Sequence, residues 1–307
     1  MSSIKSEILK LADETLLPNS EIAKIVGCSL RTVNRYAGSY TKRCHTKAEV
    51  PSGDAIQKTI LLPDIHYPHY DQRVMDAVDE FIIDYDPDEL VYMGDQLDLS
   101  CISGWNRRKP LLKEGRRLLS EYEGFDENIL QTHENITRDE TRRVFMMGNH
   151  EQRTLWYIQE NPELEGMIDI DRNLNLSDRG YNIVDYNGVY KIGKLNVIHG
   201  YYYCKYHAAK TVDVFEGNVV YSHVHNPQMY AKISPIDRKG YHTATALPCL
   251  CNIKPDYKQN SPNFWINGFG IVEHIPSTGY FNLYTVIIID NKFLWNGKLY
   301  GSTSKYF

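Results

Sequence analysis

The 307-residue chain contains no uninterrupted run of about 18 apolar residues, the length that a membrane-spanning helix requires. Its N-terminal segment, MSSIKSEILKLADE, has no apolar core, so we do not expect a secretory signal there. Six cysteines are scattered without a Cys-x-x-Cys pair, which argues against a disulfide framework and a structural zinc site. We therefore expect a cytoplasmic globular protein with reduced thiols and no membrane partner.

Charge is distributed unevenly along the chain, whose formal net charge is −5. Residues 1–50 carry 8 Lys and Arg against 5 Asp and Glu, a balance of +3, and the remainder carries 26 against 34, a balance of −8. Between the two parts, residues 46–57 include the sequence Pro51-Ser52-Gly53 and show no apolar periodicity, which is typical of a linker. We therefore predict a small basic domain over residues 1–45 and a larger acidic domain over residues 58–307.

Apolar runs alternate with longer amphipathic stretches in the larger part. Residues 72–85 have apolar side chains at helical spacing, and the charged stretch 111–142 predicts one or two exposed helices. Asn187-Gly188 is typical of a hairpin turn, and the aromatic-rich last third predicts further strands. The predicted strands cover residues 59–62, 90–93, 144–147, 195–198 and 219–221. This alternation favours an α/β fold built in layers.

Polar side chains follow each of these five predicted strands. The groups are DIH at 64–66, GDQLD at 94–98, GNHE at 148–151, HG at 199–200 and SHVH at 222–225. Because ligands bind beyond the carboxyl ends of the strands in α/β sheets, we expect these groups to meet at one place. Carboxylates and imidazoles without thiolates suit Mn²⁺, Fe or Zn²⁺, and the candidate ligands exceed one coordination sphere. The sequence therefore predicts a site for two divalent ions that act together on a phosphoryl group.

Taken together, the five groups resemble the signature of the calcineurin-like metallophosphoesterases. That signature is DxH, GDxxD, GNH followed by Asp or Glu, H, and GHxH, and the resemblance covers residues 58–230 approximately. It implies a metal-dependent phosphoric ester hydrolase with a four-layer α/β/β/α sandwich and the metals at the strand ends. The C-terminal segments LPCLCNIKPDY and NFWINGFGIV are similar to phage-encoded members of this superfamily, which implies the cytoplasm of a host cell.

The resemblance also implies a role for each residue of the signature. A metal-bridging hydroxide would be the nucleophile, His150 would protonate the leaving oxygen, and Asp98 would orient His150. The expected metal is Mn²⁺, with Fe, Zn²⁺ and Ni²⁺ as alternatives. One departure from the signature is Ser222, where the family usually has Gly. The implied ligands are Asp64, His66 and His225 for one ion, Asn149, His199 and His223 for the other, and Asp95 for both.

Residues 19–38 have a pattern of their own. The spacing of Ala23, Gly27 and Val33 resembles that of a helix-turn-helix motif, which implies binding to DNA. With a balance of only +3, tight binding would require a homodimer or a contribution from the larger domain. The alternative is a small helical unit that docks a protein. The residues expected to contact DNA are Arg31, Thr32, Asn34 and Arg35.

The metal signature indicates the reaction class and leaves three functions open. A DNA-reading domain favours a nuclease or phosphodiesterase that acts on DNA, with Arg107 and Arg108 lining a path for phosphates. The second is a phosphomonoesterase, either a protein phosphatase or a nucleotidase, because GNHEQR resembles the GNHExR of Ser/Thr protein phosphatases and adds Arg153 as a phosphate contact. Leu99 counts against it, because those enzymes carry Arg there. The third is a DNA-binding regulator with a vestigial esterase, and the intact ligand set counts against it.

Overall fold

The computed structural model describes residues 4–14, 19–37, 55–104, 110–234, 236, 240–255 and 262–301. The chain divides into two compact units, Met1–Ala55 and Ile56–Phe307. Residues 46–54 of the predicted linker lie outside the described residues, and the first strand begins at Gln57. None of the described helices has the length and the apolar character that crossing a membrane requires.

The N-terminal unit contains three helices, α1 (Ile4–Glu14), α2 (Asn19–Val26) and α3 (Leu30–Ala37). Gly27 follows α2 in the left-handed region at φ 68°, where a residue without a Cβ is favoured. Ser29 caps α3, because its Oγ accepts a hydrogen bond from the Thr32 N–H at 3.1 Å. The apolar core of this unit comprises Ile8, Ala12, Ile22, Ala23 and Val33. The three residues whose spacing stands out in the sequence therefore lie in this core and in the turn between α2 and α3.

A six-stranded sheet forms one part of the α/β unit. Its strands are β1 (Gln57–Leu62), β2 (Glu89–Tyr92), β3 (Arg142–Met146), β4 (Asn182–Val184), β10 (Asn267–His274) and β11 (Phe281–Ile288). The strand order is β11-β10-β1-β2-β3-β4. Strands β1 to β4 run parallel, whereas β10 is antiparallel to both β1 and β11. The carboxyl ends of β1, β2 and β3 therefore lie at the same edge.

A five-stranded sheet forms the other part. Its strands are β5 (Tyr190–Ile192), β6 (Leu195–Ile198), β7 (Asn218–Tyr221), β8 (Gln228–Ile233) and β9 (Tyr241–Ala246), in the order β5-β6-β7-β9-β8. Strands β6, β7 and β9 run parallel, and β5 and β8 pair with them in the antiparallel sense. A separate two-stranded sheet contains β12 (Phe293–Trp295) and β13 (Lys298–Tyr300).

Helices connect these strands. They are α4 (Gln72–Tyr85), α5 (Pro110–Lys113), α6 (Leu118–Phe125), α7 (Gln131–Ile136), α8 (Gln152–Glu160), α9 (Ile170–Leu174) and α10 (His207–Phe215). A π-helical turn, Asp126–Leu130, joins α6 to α7, and a 3-10 turn, Pro162–Leu164, follows α8. Helix α4 begins after Asp71, whose side chain accepts a hydrogen bond from the Arg73 N–H at 3.1 Å.

Side chains that alternate along β1 pack into different apolar clusters. Ile60 and Leu62 pack with residues of α4 and α6. Leu61 points to the opposite face and packs with residues of the five-stranded sheet, including Val197. A third cluster joins the five-stranded sheet to α10 through residues such as Val212. The period of two along the strand thus gives the six-stranded sheet two apolar faces.

The expectation of an α/β protein is confirmed, as are the five predicted strands and the helix over residues 72–85. Two local predictions are wrong. The stretch 111–142 is not an exposed surface throughout, because α6 and the π-helical turn bury Tyr122, Phe125 and Leu130. Asn187-Gly188 does not close a hairpin, since β4 pairs with β3 and β5 pairs with β6 in the other sheet. Turn residues specify a local chain reversal but not the partner of the next strand.

Candidate metal centre

Polar residues follow the carboxyl ends of β1, β2 and β3 in one sheet and of β6 and β7 in the other. All the residues predicted as metal ligands lie within four positions of these ends. The structure brings them together in two neighbouring groups. They are Asp64 and His66 after β1, Asp95 after β2, Asn149 after β3, His199 after β6, and His223 and His225 after β7.

The first group contains Asp64, His66 and His225, whose ligand atoms lie within 4.8 Å of one another. The Nε2 atoms of His66 and His225 are 3.2 Å apart, and His225 Nε2 lies 3.4 Å from Asp64 Oδ1. The Asp64 carboxylate also accepts the His223 backbone N–H at 2.9 Å. Three nitrogen and oxygen donors therefore face a single point.

The second group contains Asp95, His199 and His223, again with ligand atoms within 4.8 Å of one another. His199 Nε2 lies 3.4 Å from Asp95 Oδ2 and 2.9 Å from Asn149 Oδ1. The same Asp95 Oδ2 lies 3.9 Å from His66 Nε2 in the first group. Asp95 is thus the carboxylate next to both groups, the position that the sequence predicts for a bridging ligand.

Three imidazoles are oriented through their Nδ1 atoms. His199 Nδ1 lies 3.0 Å from the Met93 carbonyl oxygen, and His66 Nδ1 lies 3.5 Å from Asp98 Oδ1. His225 Nδ1 lies 3.8 Å from the Cys251 thiol. Contacts of this kind fix the tautomer and the ring orientation of metal-binding histidines. They leave the three Nε2 atoms facing the centre.

The backbone around the centre has an unusual conformation. Five of the residues predicted as ligands have positive φ angles, between 43° and 73°: Asp64, His66, Asp95, His223 and His225. Residues with a Cβ rarely adopt positive φ angles, and those that do are concentrated at functional sites. Two glycines allow the loops to approach closely. A Cβ on Gly94 would lie 2.7 Å from His199 Nδ1, and one on Gly148 would lie 2.3 Å from Asp95 Oδ1.

Glu151 holds the loops after β2 and β3 together. Its carboxylate is 1% exposed and accepts four backbone N–H groups at 2.8–3.0 Å. Burial raises the pKa of Glu151, and the hydrogen bonds oppose that effect. One side chain therefore sets the position of Asp95 relative to the GNH segment. The four donors belong to Asp95, Gln96, Leu97 and Gly148.

The electrostatics of the centre favour a negative Asp95. Burial alone would raise the pKa of this carboxyl, but the nearby His150 and His199 hold it well below its usual range. Burial alone would lower the pKa of His199, but the Asp95 charge raises it to about 9. A metal ion that binds His199 at neutral pH must therefore displace a proton.

The residues present fit two divalent ions. His223 Nδ1 is buried and has no hydrogen-bond partner among the described residues, as expected for a group that a ligand would satisfy. His66 Nε2 and His225 Nε2 face each other, and a cation between them would satisfy both lone pairs. The donors are imidazole nitrogens and carboxylate or amide oxygens, which suit Mn²⁺, Fe or Zn²⁺.

A family model described as calcineurin-like phosphoesterase matches residues 58–245. The chain belongs to the calcineurin-like phosphoesterase family. Among solved structures, 46 chains match, one of which shares 10% sequence identity over 75% of this chain and 99% of its own. Its TM-score of 0.32 is too low to inform the fold. No curated protein matches the chain significantly.

The family assignment makes the chain a metal-dependent phosphoester hydrolase, and members of this family typically bind two divalent ions. His150, the predicted acid of the family signature, lies at the edge of the centre. Its Nε2 is 3.8 Å from Asp95 Oδ2, and its Nδ1 lies 2.8 Å from the backbone carbonyl oxygen of Asp98. The Asp98 carboxylate is farther away, with Oδ1 3.5 Å from His150 Nδ1 and from His66 Nδ1. The backbone of Asp98, more than its carboxylate, therefore orients His150.

Two further residues occupy defined places near the family signature. Arg153 donates from Nη1 to the Asp98 carbonyl oxygen at 2.6 Å, so part of its guanidinium supports the loop that orients His150. Ser222 is buried where the family usually has Gly, and its Oγ lies 3.1 Å from the His199 carbonyl oxygen. The extra side chain is accommodated by a hydrogen bond, so the departure leaves the ligand positions intact.

Several predicted contacts fall on parts of the chain without a described side chain. Arg107 and Arg108 lie outside the described residues, and so do the side chains of Arg31, Asn34 and Arg35. Thr32 is described, and its hydroxyl lies 2.8 Å from Ser29 Oγ at the start of α3. The expected contacts with phosphate and with DNA bases therefore remain predictions.

Sequence reasoning missed three residues of the centre. Glu151 was visible as the acidic residue after GNH, but the pattern gives its position and not its four hydrogen bonds. Cys251 and Trp265 contact His225 from segments far along the chain, at 3.8 Å between atoms and 4.2 Å between ring centroids respectively. No local pattern marks either residue, because only the fold brings them to His225, the predicted ligand.

Proposed function

We propose that the protein is a dinuclear metal-dependent phosphodiesterase that acts on DNA. The observation that carries the proposal is the position of Asp95 between two groups of nitrogen and oxygen ligands. Two divalent ions, with Mn²⁺ as the expected metal, would supply Lewis acidity and a water-derived nucleophile at neutral pH. Asp64, His66 and His225 would hold one ion. Asn149, His199 and His223 would hold the other.

His150 is the proposed acid that protonates the leaving oxygen. The Asp98 carbonyl accepts the proton on Nδ1, which leaves Nε2 directed toward the centre. Burial lowers the pKa of His150 to about 3, so the ring is neutral in the ligand-free protein. A phosphate ester beside it adds negative charge, which raises the pKa of the imidazole and favours its protonated form. Arg153 would stabilise this arrangement through the Asp98 carbonyl and would contact the phosphate with its remaining N–H groups.

The N-terminal unit is proposed to be a helix-turn-helix domain that binds DNA. Supporting it are the apolar core containing Ala23 and Val33, the left-handed Gly27 between α2 and α3, and the capped start of α3. In this geometry, α3 would enter the major groove and present Arg31, Thr32, Asn34 and Arg35 to phosphates and base edges. Because the balance of charge in this region is only +3, a homodimer is the expected binding form.

The same proposal covers the architecture and location of the protein. The three apolar clusters support a four-layer α/β/β/α sandwich, and the C-terminal segments support a phage-type member of the family. The free thiols of Cys28, Cys101, Cys204, Cys249 and Cys251 support a reducing, cytoplasmic environment.

The test offers four substrates side by side to the purified full-length chain loaded with Mn²⁺. These are single-stranded DNA, double-stranded DNA, a bis-aryl phosphate and an aryl monophosphate, each also assayed after metal removal with a chelator. The proposal expects metal-dependent hydrolysis of DNA and of the bis-ester, with little action on the monoester. A clear preference for the monoester would replace the proposal with a phosphomonoesterase. Binding to DNA without hydrolysis of any substrate would indicate a regulator with a vestigial esterase.

A further inference from the structure

A cavity of about 450 Å³ lies beside the metal centre. One wall comes from the segment after β6 and includes Tyr203 and Lys205, and the other comes from the segment before β10 and includes Phe264 and Trp265. The ring centroid of Trp265 lies 4.2 Å from that of His225. A single aromatic ring therefore separates the cavity from a metal-binding imidazole.

Backbone contacts fix the Trp265 wall of the cavity. The Ile266 N–H donates to the His225 carbonyl oxygen at 3.1 Å, and the Cys249 N–H donates to the Ile266 carbonyl oxygen at 3.0 Å. The Trp265 N–H is bound by the Asn263 side chain, also at 3.1 Å. This wall is thus held relative to the metal ligands before any substrate arrives, which lowers the entropy that binding must cost.

The cavity presents flat apolar surface together with one cation. Tyr203 is 74% exposed and Phe264 is 73% exposed, although Phe is among the residue types most often buried. Lys205 adds a positive charge to the wall that Tyr203 belongs to. The volume of the cavity lies within the range of roughly 300–1,000 Å³ that is typical of small-molecule sites. A ligand that suits these walls has a planar, stackable ring and carries a negative charge.

We propose that this cavity is a subsite for one unstacked nucleobase, which belongs to the DNA strand whose phosphodiester lies at the metal centre. This inference rests on the proposed function and specifies its substrate class. A base of an intact duplex must first be unstacked and unpaired, which costs a few kcal/mol, whereas bases of single strands and frayed ends enter a side cavity without that cost. The enzyme should therefore prefer single-stranded or frayed DNA to fully paired DNA.

The test compares the wild-type chain with the double variant Tyr203→Ala/Phe264→Ala. Both side chains are largely exposed, so the double variant keeps the apolar cores. Tyr280→Ala is the matched control, because Tyr280 is 65% exposed and does not line the cavity. The Mn²⁺-loaded proteins are assayed on a short single-stranded oligonucleotide and on the same oligonucleotide with abasic sites around the cleaved bond.

The double variant should raise KM for the base-bearing oligonucleotide roughly 5- to 150-fold, the range that base–aromatic stacking supplies, with kcat nearly unchanged. KM for the abasic oligonucleotide should be the same for the wild-type chain and the double variant, and the Tyr280→Ala control should match the wild type on both substrates. Equal KM values of the wild type and the double variant on the base-bearing oligonucleotide would overturn the subsite. An equal loss on both oligonucleotides would also overturn it.

A binding measurement separates failure of the subsite from failure of the proposed function. Calorimetry of the metal-loaded chain with thymidine 5′-monophosphate and with deoxyribose 5-phosphate should show tighter binding of the nucleotide, and the double variant should abolish the difference. If no oligonucleotide is hydrolysed, the proposed function fails, and this difference alone decides the subsite. Equal binding of the two ligands, or tighter binding of a phosphotyrosine peptide, would overturn a nucleobase subsite.

Discussion

Among the described residues, the two units differ in what they bury: the α/β unit buries charged and polar side chains at the metal centre, and the helical unit buries apolar side chains and Asn19. In the α/β unit, Asp64, Asp95 and His199 are at most 4% exposed and each is held by neighbouring polar atoms. In the helical unit, the cluster of buried hydrophobic residues consists of Ile and Val with two alanines, and its charged residues are not part of it. In the α/β unit, the buried polar residues would carry out the reaction, which depends on their exact geometry. In the helical unit, the buried residues only hold the fold, so any binding would depend on its surface residues. Substitutions in the two units should therefore affect catalysis and binding separately.

The largest effect is expected from Asp95→Asn. The backbone N–H of His150 donates to Asp95 Oδ1 at 2.8 Å, and asparagine keeps an oxygen that can accept this hydrogen bond. The substitution removes the negative charge of Asp95, which lies next to both ligand groups. Hydrolysis of a bis-aryl phosphate should fall by several orders of magnitude, and elemental analysis should show fewer than two ions per chain. Asp79→Asn is the control, because Asp79 binds His133 away from the centre. A rate within tenfold of the wild type would remove Asp95 from the bridging role.

His150→Ala tests the acid within the same unit. His66, Asp95 and His150 also lie close enough together to hold an ion, but none of the proposed ligands of the two ions is His150. The ion content should therefore stay the same while kcat falls about 10²- to 10⁴-fold on a substrate with a poor leaving group. A substrate with a very acidic leaving group needs no protonation and should be hydrolysed at close to the wild-type rate. Loss of metal in the variant would instead make His150 a ligand.

Metal affinity should depend on pH through His199. Because the Asp95 charge raises the pKa of His199 to about 9, the ring is protonated at neutral pH, and an ion must displace that proton. Between pH 7 and pH 9 the affinity should rise up to about tenfold per pH unit, and above pH 9 this contribution should disappear. Calorimetry in buffers of different ionisation enthalpy measures the released proton. Release of no proton at pH 7 would contradict the pairing of His199 with Asp95.

Substitution of the buried Glu121 should have a smaller effect, which is confined to the stability of the fold. Glu121 is 6% exposed, it accepts the Leu99 N–H at 2.5 Å, and burial raises its pKa to about 7. A raised pKa means that the folded state holds the proton longer than the unfolded state, so its contribution to stability is lost as pH rises from about 4.5 to 7. Glu121→Gln should therefore increase the free energy of unfolding above pH 7, by at most about 3 kcal/mol.

Denaturant unfolding at pH 4 and pH 8 measures the Glu121 effect as a difference from the wild type. Glu123→Gln on the exposed side of α6 is the matched control and should change neither value. Equal stability of the Glu121→Gln variant and the wild type at pH 8 would show that Glu121 is not held in a raised-pKa environment.

The smallest effect on chemistry is expected from the helical unit. Deleting residues 1–45 should leave hydrolysis of a bis-aryl phosphate nearly unchanged, because all the proposed ligands lie in the α/β unit. The same deletion should weaken action on long duplex DNA. Arg31→Ala with Arg35→Ala should reduce the slope of log affinity against log salt by about one unit for each lost phosphate contact. Unchanged binding and cleavage of duplex DNA after the deletion would favour a protein-docking role for this unit.

The strands and the grouping of the polar residues that follow them could be predicted because their signals are local. An apolar run that ends in Asp, Asn or His indicates both a buried strand and a polar residue at its carboxyl end, and the ends of the five runs, from two sheets, meet at one place. The Nδ1 contacts could not be predicted, since Met93 and Cys251 reach the histidines through the fold. The cavity was missed for the same reason: its walls are about 60 residues apart in sequence, at Tyr203 and Phe264.

The carboxylate of Glu151 also bears on how the chain can change in length. It binds N–H groups at both ends of a 50-residue segment, residues 98–147, and so holds the two ends of the segment together. Within this segment, Glu114 and Gly115 form an exposed turn between α5 and α6, and a Cβ on Gly115 would meet no atom within 4 Å. Lengthening a loop costs only about 0.6 kcal/mol per doubling. Insertions at this turn should therefore be tolerated while the ligand geometry is retained.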